Sequence, residues 1–320
     1  MICKSENTTF ASEINNSTNN DFKYHLDNLH FGAYYILFPI LLILGIITNA
    51  LNILILWSIG RENKKSRIKD MKATLIYLTW ISFGQLATCI SCVPSVVNLD
   101  REFLAFNLAF YFAHFEIMIL NSFTSSCVYI ILAMSVDRYI AVCKPNSYSS
   151  INGPEVAVKR IVASLIIPPI IYIPHCFTQV TYCDLDGCTY CASEMSKTVY
   201  WTVWALVVEL FHRLIPAVIL IFFNVCIVLT FKKVVQIRNA TRTKENLIKT
   251  SKKSNHYQEK RLMMLLVATT ICFLVTTLPA AILGLIDKFG HRFESLGLEV
   301  IKLKLNHFFI IQYFFINKQF

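Results

Sequence analysis

The sequence predicts an all-α fold: a polytopic membrane bundle of six spanning helices plus a short or truncated seventh. Three observations carry this. Charged residues make up 16% of the 320 positions, against about 25% in soluble domains. Hydrophobic residues make up 55%, and the mean hydropathy is +0.52. The few charges are clustered, with long charge-free runs between them. This pattern argues against a soluble enzyme, a disordered chain or a nucleic-acid-binding domain, despite a net charge of +10.

Each span follows from the charge-free runs, because crossing the hydrocarbon core takes about 20 apolar residues. No Asp, Glu, Lys or Arg lies between Asp27 and Arg61, Lys72 and Asp100, Arg160 and Asp184, or Arg261 and Asp287, which gives spans one, two, four and six. Span three lies between Glu102 and Asp137, interrupted by Glu116. Span five lies between Lys197 and Lys232, interrupted by Glu209 and Arg213. Lipid offers the backbone no partners, so such runs are helical. The resulting spans are residues 31–59, 73–99, 103–136, 161–182, 198–231 and 262–286. A seventh, residues 298–316, carries Glu299, Lys302 and Lys304, and its charge-free part runs only from Leu305 to Asn317. Residues 1–30 form a tail, 31–316 the bundle, and 317–320 an end with no cytoplasmic tail.

Orientation follows from Lys and Arg, which mark cytosolic loops. Arg61, Lys64, Lys65, Arg67, Lys69 and Lys72 crowd the first turn, Lys144, Lys159 and Arg160 follow span three, and residues 232–261 are densely basic. The N-terminus is therefore expected outside a plasma membrane, and the +10 is a topogenic signal. The outer tail carries glycosylation sequons at Asn7, Asn15 and Asn16.

Span three ends in A-M-S-V-D-R-Y-I-A-V-C-K-P, Ala133–Pro145, with Asp137-Arg138-Tyr139 at its cytosolic mouth. This string resembles the signature of rhodopsin-like (class A) G-protein-coupled receptors, and the resemblance extends from about Phe31 to Ile286. It implies that Arg138 pairs with Asp137 and with an acid at the foot of span six, then swings to meet a heterotrimeric G protein. Glu259, 20 residues before Pro279, stands where the family places that acid. Asn49 resembles the family's helix-one Asn. Pro216, Phe273 and Pro279 resemble its kink and switch residues, and a proline inside a helix bends it.

Several family features are replaced. Ser82 or Gln85 stands near the span-two Asp, Ala113 at the span-three Cys, and Ser164 or Leu165 near the span-four Trp. The span-six motif reads Thr276-Thr277-Leu278-Pro279, and the chain ends at Phe320, where the span-seven motif would begin. The second outer loop holds Cys183, Cys188 and Cys191. An oxidising exterior suits a disulfide there. One thiol is left over, with Cys3 or Cys92 as candidate partners, and the connectivity stays open.

Ionisable groups within spans are costly and point to function. Glu209, His212 and Arg213 lie in the outer half of span five. Glu209 and Arg213 are also spaced as a favourable i, i+4 pair. Glu116 lies 22 residues before Arg138, about 33 Å along a helix, near the outer end of span three. Leu120 stands where amine receptors of the family carry an Asp, which disfavours a monoamine. Glu116, Glu209, His212 and Arg213 beneath Trp201 and Trp204 suit an extracellular peptide with charged ends. The expected partners are that peptide, the G protein and the lipid bilayer, with no nucleic acid. No cofactor, metal or enzymatic activity is expected. The other reading is a non-signalling truncated or decoy receptor, suggested by the missing span-seven motif. A transporter ranks below both, since no internal repeat is evident.

Overall fold

The computed structural model describes residues 32–62, 69–98, 104–144, 153–185 and 187–242, together with 268 and 271. The expected spans six and seven, Glu259, Phe273, Pro279, and the sequons at Asn7, Asn15 and Asn16 lie outside the described residues.

Five described helices are long and apolar enough to cross a membrane. Helix one is Phe38–Glu62, preceded by a π-helical turn, Gly32–Leu37. Helix two is Lys69–Val97. Helix three runs over Phe106–Cys143 and contains a π turn, Tyr111–Phe115. Helix four is Pro154–Tyr172, closed by a 3-10 turn, Ile173–Phe177. Helix five comprises Val199–Glu209, a π turn Leu210–Leu214, and Ile215–Arg242.

Local chemistry explains these limits. Helix four starts on Gly153 with Pro154 in its first turn and Glu155 behind it. Proline's fixed φ suits the first helical position, and an acid there complements the helix dipole. At the start of helix five the Thr198 hydroxyl accepts the Trp201 N–H, an N-cap that satisfies one orphan donor. Within the helices, hydroxyls donate one turn back: Thr88 to Gly84 O at 2.8 Å, Ser126 to Ser122 O at 2.8 Å and Ser135 to Ile131 O at 3.0 Å. Lipid cannot supply those partners.

Two expectations need correction. Span four was expected over residues 161–182, but helix four begins at Pro154, so Lys159 and Arg160 belong to a helix rather than a loop. Its supposed last residues form a strand. The described bundle is helical as expected, and the loop after helix four holds a short β-hairpin. Strand β1, Gln179–Asp184, pairs antiparallel with strand β2, Gly187–Ala192, with Cys183 opposite Cys188. Val180, Thr181, Tyr182, Thr189 and Tyr190 are β-branched or aromatic residues that suit a pleated ribbon. Gly187 has φ 148°, a region open to glycine and to few other residues. Helices three and five also outrun their expected ends at 136 and 231, continuing to Cys143 and Arg242.

The largest core cluster joins helices two, three, four and five through Tyr77, Ile81, Ile130, Met134, Ile161, Leu220 and Ile227. Asn49 is fully buried and donates to Gly45 O at 2.8 Å. Ser82, Gln85 and Pro216 are buried as well.

Helices two and three meet closely at Gly84, where an added Cβ would lie 2.6 Å from Cys127 Sγ. Gly84→Val is expected to cost about 1–3 kcal/mol through overpacking. Thermal unfolding of the purified protein should show the loss and its partial recovery when Cys127→Ala is added. An unchanged melting temperature in the single variant would refute the close contact.

Candidate functional site

The described bundle has two polar regions, one near the hairpin and one near Asp137. At the hairpin end, helices three, four and five form a continuous aromatic–histidine cluster. The π turn Leu210–Leu214 carries His212 and Arg213. Such turns insert a residue into the helical ladder and recur at functional sites. Here the turn buries His212, which is 3% exposed. Its ring lies 5.3 Å from Tyr129 of helix three and 5.0 Å from Tyr172 of helix four. The Ser125 hydroxyl donates to the Tyr172 hydroxyl oxygen at 3.3 Å. Tyr172 also packs 5.4 Å from His175, whose ring meets Trp201 edge-on at 4.8 Å.

Neither ring nitrogen of His212 has a hydrogen-bond partner among the described residues, and the Trp204 indole N–H is likewise buried without one. Leaving a buried polar group unsatisfied costs about 1–3 kcal/mol. Beside His212, Arg213 pairs with Glu209 at 3.1 Å, and both side chains stay partly exposed. The expected i, i+4 pair is therefore present, and it lies within electrostatic reach of Tyr172.

Glu116 does not join this cluster. It follows the π turn of helix three, is buried, and accepts a hydrogen bond from Ser95 of helix two. Tyr111 on the same stretch donates to Ser91 O at 3.1 Å. Leu120, one turn on, packs with Phe38, Leu42, Cys89 and Cys92 of helices one and two. The structure therefore does not bring Glu116 and Leu120 together with Arg213 and Trp201. The first two face helices one and two, and the last two line the cluster of helices three to five. The reason is helix geometry: Glu116 and Leu120 share one face by i, i+4 spacing, while Ser125 and Tyr129 share another.

The hairpin carries a Cys183–Cys188 disulfide, and Cys191 is disulfide-bonded too. Cys92 keeps its thiol, which removes it as the partner of the leftover cysteine. Ala113, at the position of the family's cross-linking cysteine, is buried in the π turn. The hairpin instead meets the start of helix three through a backbone pair. Leu104 N–H donates to Cys188 O and Cys188 N–H to Leu104 O, each at 2.9 Å. Leu104, Ala109, Phe112 and Cys188 close an apolar cluster around that pair.

At the other end of helix three, Asp137 is 1% exposed and takes an ion pair with hydrogen bond from Arg160 of helix four. The buried Tyr77 of helix two lies alongside both. Tyr139 packs 5.1 Å from Phe223 of helix five, and the Cys143 thiol donates to Thr230 Oγ1 at 3.3 Å. The Asp137-Arg138-Tyr139 segment is therefore wedged among helices two, four and five.

Sequence reasoning missed Arg160, Tyr77, Tyr129, Tyr172 and His175. The signal for Arg160 was available: Gly153-Pro154-Glu155 is a helix-start pattern, and it puts Arg160 nearly two turns inside a helix.

Five described helices long and apolar enough to cross a membrane, packed around a shared core, define a polytopic helical-bundle membrane protein. The chain belongs to the 7 transmembrane receptor (rhodopsin family), which matches residues 51–315. That match covers the stretch expected to form span six and all but the last residue of the one expected to form span seven. Two Caenorhabditis elegans proteins are similar over most of the chain. "Probable G-protein coupled receptor B0563.6" is 26% identical over 80% of this chain and 59% of its own length. "Probable G-protein coupled receptor AH9.1" is 25% identical over 83% of this chain and 67% of its own length. The chain thus spans about three fifths to two thirds of these relatives. The human olfactory receptor 4K2 is 40% identical over 67 residues, 21% of this chain and 20% of its own length. The sequence-based family assignment is confirmed.

Proposed function

We propose that this chain is a receptor that binds an extracellular peptide at the hairpin end and relays the event to a heterotrimeric G protein through Asp137-Arg138-Tyr139. In this reading the N-terminus lies outside the plasma membrane. One observation carries it: the aromatic–histidine cluster around His212 and Arg213 shares helix three with the Asp137 end. Tyr129, which touches His212, and Asp137 stand on the same rod, two turns apart. A group that engages the cluster can therefore bias the far end, provided it binds one arrangement of the helices better than another.

The chemistry of the cluster favours a peptide. Arg213 offers a cation partly exposed beside Glu209, and the ligand's carboxylate would compete with that acid through charge-assisted bonds. His212 and the Trp204 N–H offer hydrogen-bonding groups without protein partners among the described residues, and Trp201 adds an aromatic wall. Glu116 takes no part in this site and acts as a buried strut between helices two and three.

A peptide-library screen with a promiscuous G-protein readout tests the reading. Arg213→Ala is expected to lose response to the active peptide while surface expression persists. A full response from that variant would overturn the placement of the ligand.

A further inference from the structure

We infer that Arg160 is a positioning residue for the Asp137-Arg138-Tyr139 end: it competes with Arg138 for the Asp137 carboxylate and so sets how readily Arg138 is released to a G protein. The inference rests on the coupling reading above for its functional side, and on the described contacts for the pairing.

The geometry is specific. Asp137 is almost fully buried, so its charge needs a partner. Its Oδ1 is held by the Arg160 guanidinium, and its Oδ2 has no hydrogen bond among the described residues. Adjacent residues on a helix do not face each other. A carboxylate turned toward helix four is therefore turned away from its chain neighbour Arg138, although Arg138 stays within electrostatic reach. Arg160 is placed for this by the early start of helix four and stays 26% exposed. Its Cα region is fixed by Ala157 and Ile161, both buried in the core. One carboxylate thus has two cations near it, and what helix four takes is withheld from Arg138.

Replacing Arg160 with glutamine removes the charge and keeps a hydrogen-bond donor. Among the described cations, the Asp137 carboxylate then answers to Arg138, with Tyr77 still alongside, and Arg138 is held more tightly. Replacing Asp137 with asparagine removes the common partner, so Arg160 loses its influence.

The test uses the full chain in lipid nanodiscs and measures its affinity for nucleotide-free heterotrimeric G protein, with thermal stability read in parallel. Arg160→Gln should weaken the affinity about fivefold, the lower end of ordinary coupling between sites, and Asp137→Asn should strengthen it. The double variant should match Asp137→Asn alone. An unchanged or stronger affinity in Arg160→Gln overturns the inference, as does an Arg160→Gln effect that persists in the Asp137→Asn background. If none of the four chains binds, the coupling reading fails, and stability decides the pairing by itself. Loss in Arg160→Gln that vanishes in the Asp137→Asn background supports the pair, and additive losses overturn it.

Discussion

Arg160→Ala lowers the folding stability of the bundle by about 3 kcal/mol. Removing one partner from a buried ion pair typically costs about 3–5 kcal/mol, because the other charge is left uncompensated. Here the stranded group is Asp137, 1% exposed, so the penalty falls on a carboxylate that water cannot reach. Arg138 next in the chain takes up part of the charge, which places the cost at the low end. The reverse change is milder. Arg160 is 26% exposed, and its long side chain can carry the charge toward the boundary. Asp137→Ala should therefore cost less than Arg160→Ala. Melting temperatures of the purified variants check the order. Equal losses, or a larger one for Asp137→Ala, would mean that the buried carboxylate is not the costly partner.

The second large effect has the opposite sign. His212→Phe should stabilise the protein by about 1–3 kcal/mol, since it removes buried polar atoms that have no partners among the described residues, at little change in shape. The phenyl ring keeps the contacts with Tyr129 and Tyr172 at 5.3 and 5.0 Å. The same variant should lose most of its response to the peptide found in the screen, because the hydrogen-bonding edge offered to the ligand is gone. Functional sites commonly give up stability in this way. A variant that melts lower than the native chain would show that the imidazole has a structural partner. One that melts higher yet responds fully would remove His212 from the ligand site.

Helices one, two, three and five were legible because an apolar run bounded by charges is a membrane helix and little else. Helix four was half legible. Its first turns carry Glu155, Lys159 and Arg160, and a rule that stops spans at charges discarded them, although one of those charges is paired inside the bundle. Its far end was misread because no acid, Lys or Arg interrupts the chain before Asp184, and a charge-free run alone does not separate a short strand from a helical turn. The π turns left no trace in composition, yet they aim His212 into the cluster and place Glu116 against helix two. Glu209 and Arg213 were readable as a pair from spacing. Which helix each buried charge faces was not, since that depends on how neighbouring rods are rotated. The disulfide pattern was open for the same reason: three cysteines within nine residues are sorted by strand register, which put Cys183 across from Cys188.

Among the described residues, the join between the hairpin and helix three is a backbone pair and not a disulfide. Leu104 and Cys188 exchange two amide hydrogen bonds under a patch formed with Ala109 and Phe112. Where a covalent cross-link would be cut by a reductant and indifferent to warmth, this seam responds the other way. Thiol reagents that open Cys183–Cys188 leave the seam's own bonds standing, whereas heat and denaturant weaken it gradually. The described contact between the hairpin and helix three is thus a noncovalent, temperature-sensitive seam.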